Sequence, residues 1–148
     1  MNLLRPLLKT LVRQRIISDI LFKRAANPKI IKKILEQAYP SGNNVDEELI
    51  EILYKPSKRK NSKEAFRGFI NLFDDYLATD LFDKVKKPIQ LIWGEKDPWE
   101  SLNEAKEWKK NFKNIKRLDI VKAAGHCPHD EEPDKTNKFI FEFLQETK

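Results

Sequence analysis

Glycine is scarce in this chain: four stand among 148 residues, at positions 42, 68, 94 and 125. No two are four residues apart, so the Gly-x-Ser-x-Gly turn that exposes a nucleophilic serine is absent. Cysteine occurs once, at Cys127, which excludes an internal disulfide and permits a reducing compartment. Histidine occurs twice, at His126 and His129, both beside that cysteine in "AAGHCPHDEEP". No apolar run approaches the roughly 20 residues that span a bilayer. A secretory signal is excluded as well, because basic residues interrupt every apolar run of the N-terminus.

What is present suits a globular domain. A length of 148 residues can bury a sizeable core, and 40% of the residues are hydrophobic against 35% charged. The net charge of +6 could draw the chain toward nucleic acid or anionic lipid. The basic residues are dispersed among acidic ones, however. "KPSKRK" and "KVKK" are accompanied by no helix-turn-helix, zinc or base-stacking motif, so nucleic acid is not an expected partner. The segment "MNLLRPLLKTLVRQRIISDILFKR" has no acid before Asp19. It reads either as a transit peptide or as folded amphipathic helix, since Leu3/Leu4, Leu7/Leu8, Leu11/Val12, Ile16/Ile17 and Ile20/Leu21 recur at helical spacing.

Residues 1–87 read as all-helical. Asn27-Pro28 gives an N-cap and first turn to a helix with Ile30, Ile31, Ile34, Leu35 and Ala38 on its apolar face, ended by the turn cluster "YPSGNN". Asp46 can cap the next helix, which turns Leu49, Ile50 and Leu53 inward. Another helix carries Ala65, Phe66, Phe69, Ile70 and Phe73. At Pro88 the pattern changes. "PIQLIWG" reads as a buried strand, Ser101 to Phe112 as a helix with capping-box spacing at Ser101 and Glu104, "KRLDIVKA" as a second strand, and Pro133 as the start of a last helix. That helix should turn Phe139, Ile140, Phe143 and Leu144 inward. Strands joined by a helix pair in parallel, which puts Asp97 and His126 at neighbouring strand ends, where open α/β sheets build their sites. Two strands are too few to complete such a sheet.

"PIQLIWGEKDPW" and "AAGHCPHDEEPDKTNKFIFEFL" resemble the C-terminal end of an α/β-hydrolase. The resemblance is to the haloalkane dehalogenase and epoxide hydrolase branch, with wording similar to pheophytinase-like hydrolases of plants and cyanobacteria. It implies an α/β fold class: the C-terminal part of an α/β-hydrolase, with two parallel strands plus helices, a helical cap over 1–87, the core part over 88–148, and an incomplete sheet. It implies that Asp97, after Gly94, is the triad acid and that His126, after Gly125, is the base. The nucleophile and oxyanion hole would precede the cap and are missing from this sequence. The expectation is therefore a fragment, inactive alone, whose parent hydrolyses an ester or related bond of an apolar small molecule. The alternative is a non-catalytic remnant, or half of a split protein that docks on a chain supplying the N-terminal half. No cofactor, metal or membrane span is implied, and the expected setting is cytoplasmic, or plastid in a eukaryote.

Other uses of the scarce residues carry less weight. His126, Cys127, His129 and Asp130 are zinc-type ligands, but four ligands from five successive residues cannot surround one ion tetrahedrally. Cys127 adjoins His126, so the two side chains diverge and do not make a nucleophile–base pair. Ser101 follows a strand and opens a helix, yet its neighbours at minus and plus two are Trp99 and Asn103, so it reads as a cap. Trp99, Phe66, Phe69 and Tyr76 could line an apolar acyl pocket, or could be plain core.

Overall fold

The apolar run after Pro88 forms a strand, β1 (Ile89–Gly94), and Ile115–Val121 forms β2 beside it. The two are parallel, with Leu91 opposite Leu118 and Gly94 opposite Val121. In this computed structural model the described residues are Thr10, 13–72 and 77–147. Leu3 to Leu8, Leu11, Val12, Phe73 and Tyr76, which carried several of the expectations above, lie outside them.

The helices are α1 (Arg15–Ala25), α2 (Pro28–Ala38), α3 (Glu47–Tyr54), α4 (Ser62–Leu72), the short α5 (Thr79–Phe82), α6 (Leu102–Asn111), the single turn α7 (Pro128–Glu131) and α8 (Pro133–Glu146). A 3-10 turn, Lys55–Lys58, follows α3. The caps sit where side-chain chemistry puts them. Asn27 Oδ1 accepts the Lys29 N–H at 2.9 Å, and Asp46 Oδ1 accepts that of Leu49 at 2.7 Å. Ser101 caps α6 through the Asn103 N–H at 3.2 Å, so the cap closes on Asn103 rather than on Glu104. The second strand stops at Val121, short of the expected Ala123, because Ala123 takes a left-handed φ of 65° that no strand residue adopts.

The chain folds as two compact units. The first is drawn from Met1–Lys33 and Asp46–Tyr76, the second from Ile34–Val45 and Leu77–Lys148. Residues 34–45 and 77–87, which read in the sequence with the helical part, thus cluster with the strands. In the first unit, Phe22 of α1 packs on Phe66 of α4 at 5.5 Å between ring centroids. The buried Ser18 accepts a hydrogen bond from Arg67 Nε, and Arg67 also pairs with Asp19 at 2.8 Å.

In the second unit the strand pair lies between α6 and α8. Trp93 of β1 meets Trp108 of α6 edge-on, and Phe82 packs on Trp108 and Phe112. From the opposite pleat, Gln90 Nε2 donates to the Phe139 carbonyl of α8, and Arg117 of β2 pairs with Glu142 and Glu146. Glu142 and then Asp119 raise the Arg117 pKa further above its ordinary range.

Coverage is incomplete. Every residue of β1 before Gly94 is only half-buried, although parallel strands are normally covered on both faces. Several residues expected to point inward are exposed: Ile30 39%, Ile34 45%, Leu53 46%, Ile140 39% and Leu144 54%. Periodicity identifies an apolar face, but covering it takes a neighbouring layer that the described residues do not supply.

Candidate active site

Asp97 and His126 come together. β1 ends at Gly94, and the tight "GEKDPWE" loop carries Asp97 back over the strand end, its N–H donating to the Gly94 carbonyl at 3.3 Å. The carboxylate folds onto its own loop, with Oδ1 accepting the N–H groups of Trp99 at 2.9 Å and Glu100 at 3.0 Å. Oδ2 is left for His126 Nδ1, at 2.9 Å. Burial opposes ionisation of Asp97, but the Trp99 and Glu100 amides and then His126 outweigh it. They hold the carboxyl below its ordinary pKa. An ionised carboxylate only accepts, so the imidazole donates from Nδ1, and in the neutral ring the lone pair is then on Nε2.

The loop that presents His126 is stitched to the first. Lys96 N–H donates to the Ala124 carbonyl at 2.9 Å, and Ala123 N–H to Glu95 Oε2 at 3.2 Å. Gly94 has no room for a side chain, since a Cβ there would stand 1.9 Å from the Gly125 carbonyl oxygen. The Asp97 side chain is 7% exposed and that of His126 40%, so the carboxylate is shielded and the imidazole is open. They line a hollow of about 200 Å³ with Ile92, Trp93, Gly94, Glu100 and Pro128. The Trp99 ring lies edge-on to the imidazole at 4.8 Å, and Trp99 is 47% exposed.

The other candidates take no part in the Asp97–His126 contact. Phe66 packs on Phe22 inside the helical unit, and Phe69, on the same helix, is 63% exposed. Cys127 is half-buried and precedes α7, His129 is exposed, and Ser101 is the cap of α6. Among the described residues no three His, Cys, Asp or Glu side chains converge as metal ligands, and no helix is long and apolar enough to cross a membrane.

Residues the sequence did not single out hold the histidine loop from behind. Glu131, inside the acidic run "HDEEP", is buried and accepts the Gly125 N–H at 2.6 Å. Tyr39 donates its hydroxyl to Asp130 at 2.8 Å; burial first, then hydrogen bonds to Cys127 and Asp130, raise its pKa. Nothing local in "YPSGNN" signals the Tyr39 contact, which joins residues 91 positions apart.

Two parallel strands in an open sheet, with helices on both faces, form a partial α/β-hydrolase fold. The chain resembles α/β-hydrolases in sequence as well. It is 29% identical to the chloroplastic pheophytinase of Arabidopsis thaliana over 127 residues, covering 82% of this chain and 26% of that protein. It is 39% identical to epoxide hydrolase 4 of Homo sapiens over 62 residues, 42% of this chain and 17% of that one. It is 36% identical to the human monoacylglycerol lipase ABHD6 over 82 residues, 55% and 24% respectively. The crystal structure of a membrane phospholipase A, a bacterial virulence factor, superposes on 83% of the chain and 39% of its own with a TM-score of 0.63 at 22% identity. No family model matches the chain. The chain spans about a quarter or less of the length of these curated relatives.

Proposed function

We propose that this chain supplies the acid and the base of a serine-type hydrolase whose nucleophile and oxyanion hole come from elsewhere, either from a longer polypeptide or from a partner chain. The observation that carries the reading is the 2.9 Å contact between Asp97 Oδ2 and His126 Nδ1 at the ends of adjacent parallel strands. In this reading His126 Nε2 takes the serine proton during attack and returns it to the leaving group. It then activates a water to release the acyl group. Asp97 holds the tautomer and stabilises the imidazolium. The helical part of residues 1–87 acts as the cap, less residues 34–45 and 77–87, which cluster with the strands. Trp99, edge-on to the imidazole, contributes apolar lining to the acyl site.

The substrate class is part of this reading, and the relatives support only its coarser part, a hydrolase. Relatives named a pheophytinase, an epoxide hydrolase and a monoacylglycerol lipase support hydrolysis of a small molecule, and an ester or related bond of an apolar one is the reading adopted. A chain with a single cysteine suits a reducing setting, cytoplasmic or plastid. The half-exposed β1 favours the same partner, namely the segment or chain that supplies the preceding strands. It equally favours the second reading, an interaction module that has kept the dock and lost the chemistry.

Turnover of a short p-nitrophenyl ester by the purified chain tests the first part. No rate above a His126→Ala control is expected. A burst of acylation on any residue of this chain would contradict it, because the nucleophile would then be within it.

A further inference from the structure

We propose that Glu131 is a positioning residue for the His126 base, acting by clamping the strap Ala38–Asn44 across the back of the Gly125–His126 peptide. This rests on His126 being the base. Asp97 holds His126 by its imidazole ring, and the His126 side chain is 40% exposed, so the direction of Nε2 also depends on where the backbone of residue 126 is held.

That backbone is held by the strap. His126 N–H donates to the Ala38 carbonyl at 2.8 Å. Gly125 lies so close to the strap that a Cβ there would stand 2.3 Å from the Ala38 oxygen and 2.3 Å from Pro40 Cδ. Glu131 locks the two segments together. It is 3% exposed, and among the described residues no cation pairs with it. A buried carboxylate in that position must be satisfied by hydrogen bonds alone. Oε1 accepts the Gly125 N–H at 2.6 Å, while Oε2 accepts the Ser41 N–H at 3.2 Å and the Ser41 hydroxyl at 2.5 Å. Donors approach from both segments, and only a carboxylate offers two acceptor oxygens with no donor between them. The backbone of the same turn is engaged too. Asn43 Nδ2 donates to the Glu131 carbonyl at 3.2 Å, and Asn44 Nδ2 to that of Asp130.

The test uses the ¹⁵N-labelled chain. Long-range ¹H–¹⁵N spectra report the imidazole tautomer of His126, told apart from His129 by His129→Ala. Amide exchange reports Gly125 and His126 against the strand-pair amides of Trp93 and Ile120. In the unsubstituted chain His126 should hold one tautomer, with the proton on Nδ1, and Asp97→Asn should mix the two. Glu131→Ala should speed exchange at Gly125 and His126 at least tenfold and mix the His126 tautomers, with Trp93 and Ile120 unchanged. Glu131→Gln, which keeps one acceptor, should free one segment and give a smaller change. If Glu131→Ala does not fold, Glu131→Gln and Ser41→Ala decide, with the same pattern at lower amplitude expected. A folded Glu131 variant that leaves tautomer and amides unchanged, or that accelerates the strand-pair amides equally, overturns the proposal alone. An unsubstituted chain lacking the Asp97-dependent tautomer overturns the base reading, and the proposal falls with it.

Discussion

Asp97 accepts hydrogen bonds from Trp99, Glu100 and His126, and the first two exist before any chemistry is considered. A residue that reads as a turn former before Pro98 is therefore also the residue that orients the imidazole. The pH consequence follows in sign. Its folded pKa lies below its ordinary value, so its ionisation stabilises the fold fully above the unfolded pKa of about 3.9. That contribution is lost as pH falls through the folded value. Asp97→Asn keeps an oxygen for the amides but drops the charge. It should lower stability by about 1–2 kcal/mol at neutral pH, and the gap should close in acid. Urea midpoints across the pH range measure both. Ala123 is the converse case, an L-residue held at φ 65°. Ala123→Gly should raise stability by about 0.5–1 kcal/mol, the strain removed exceeding the entropy added to the unfolded chain.

Between elements, close approach of backbones decides what can change. Gly94 packs against the Ala124 and Gly125 carbonyls, whereas Gly68, inside α4, meets nothing within 4 Å of an added Cβ. Gly94→Ala should destabilise by about 2 kcal/mol or more through forced separation of the two loops. Gly68→Ala should be neutral or gain about 0.5–1 kcal/mol from helix propensity. Thermal or urea unfolding of the pair tests this contrast directly. The same distinction governs what was legible in the sequence. The two strands and the two longer helices of residues 88–147 were legible because Pro88, Gly94, Ser101 and Pro133 punctuate them locally, whereas the single turn Pro128–Glu131 read as loop. The meeting of Asp97 and His126 was legible because each follows a strand end. The strap was not, since its bonds from Tyr39, Ser41, Asn43 and Asn44 reach residues far along the chain and no local pattern encodes a partner. Nor does helical spacing tell a pocket aromatic from a packing one, and Phe66 is seen packing on Phe22.

Across the molecule, a parallel strand pair with one strand half-exposed describes part of a sheet. Sequence and fold give the same sense of proportion, because the chain spans about a quarter or less of its curated relatives and 39% of the solved phospholipase chain. The central claim is that Asp97 and His126 form a competent acid–base pair awaiting a nucleophile. A chimera tests it most directly, with this chain replacing the matched segment of the Arabidopsis thaliana pheophytinase and a short p-nitrophenyl ester as substrate. The chimera should turn over, and His126→Ala or Asp97→Ala should reduce its kcat by about 10³-fold or more. A folded chimera with no turnover, or with turnover indifferent to His126→Ala, would contradict the account.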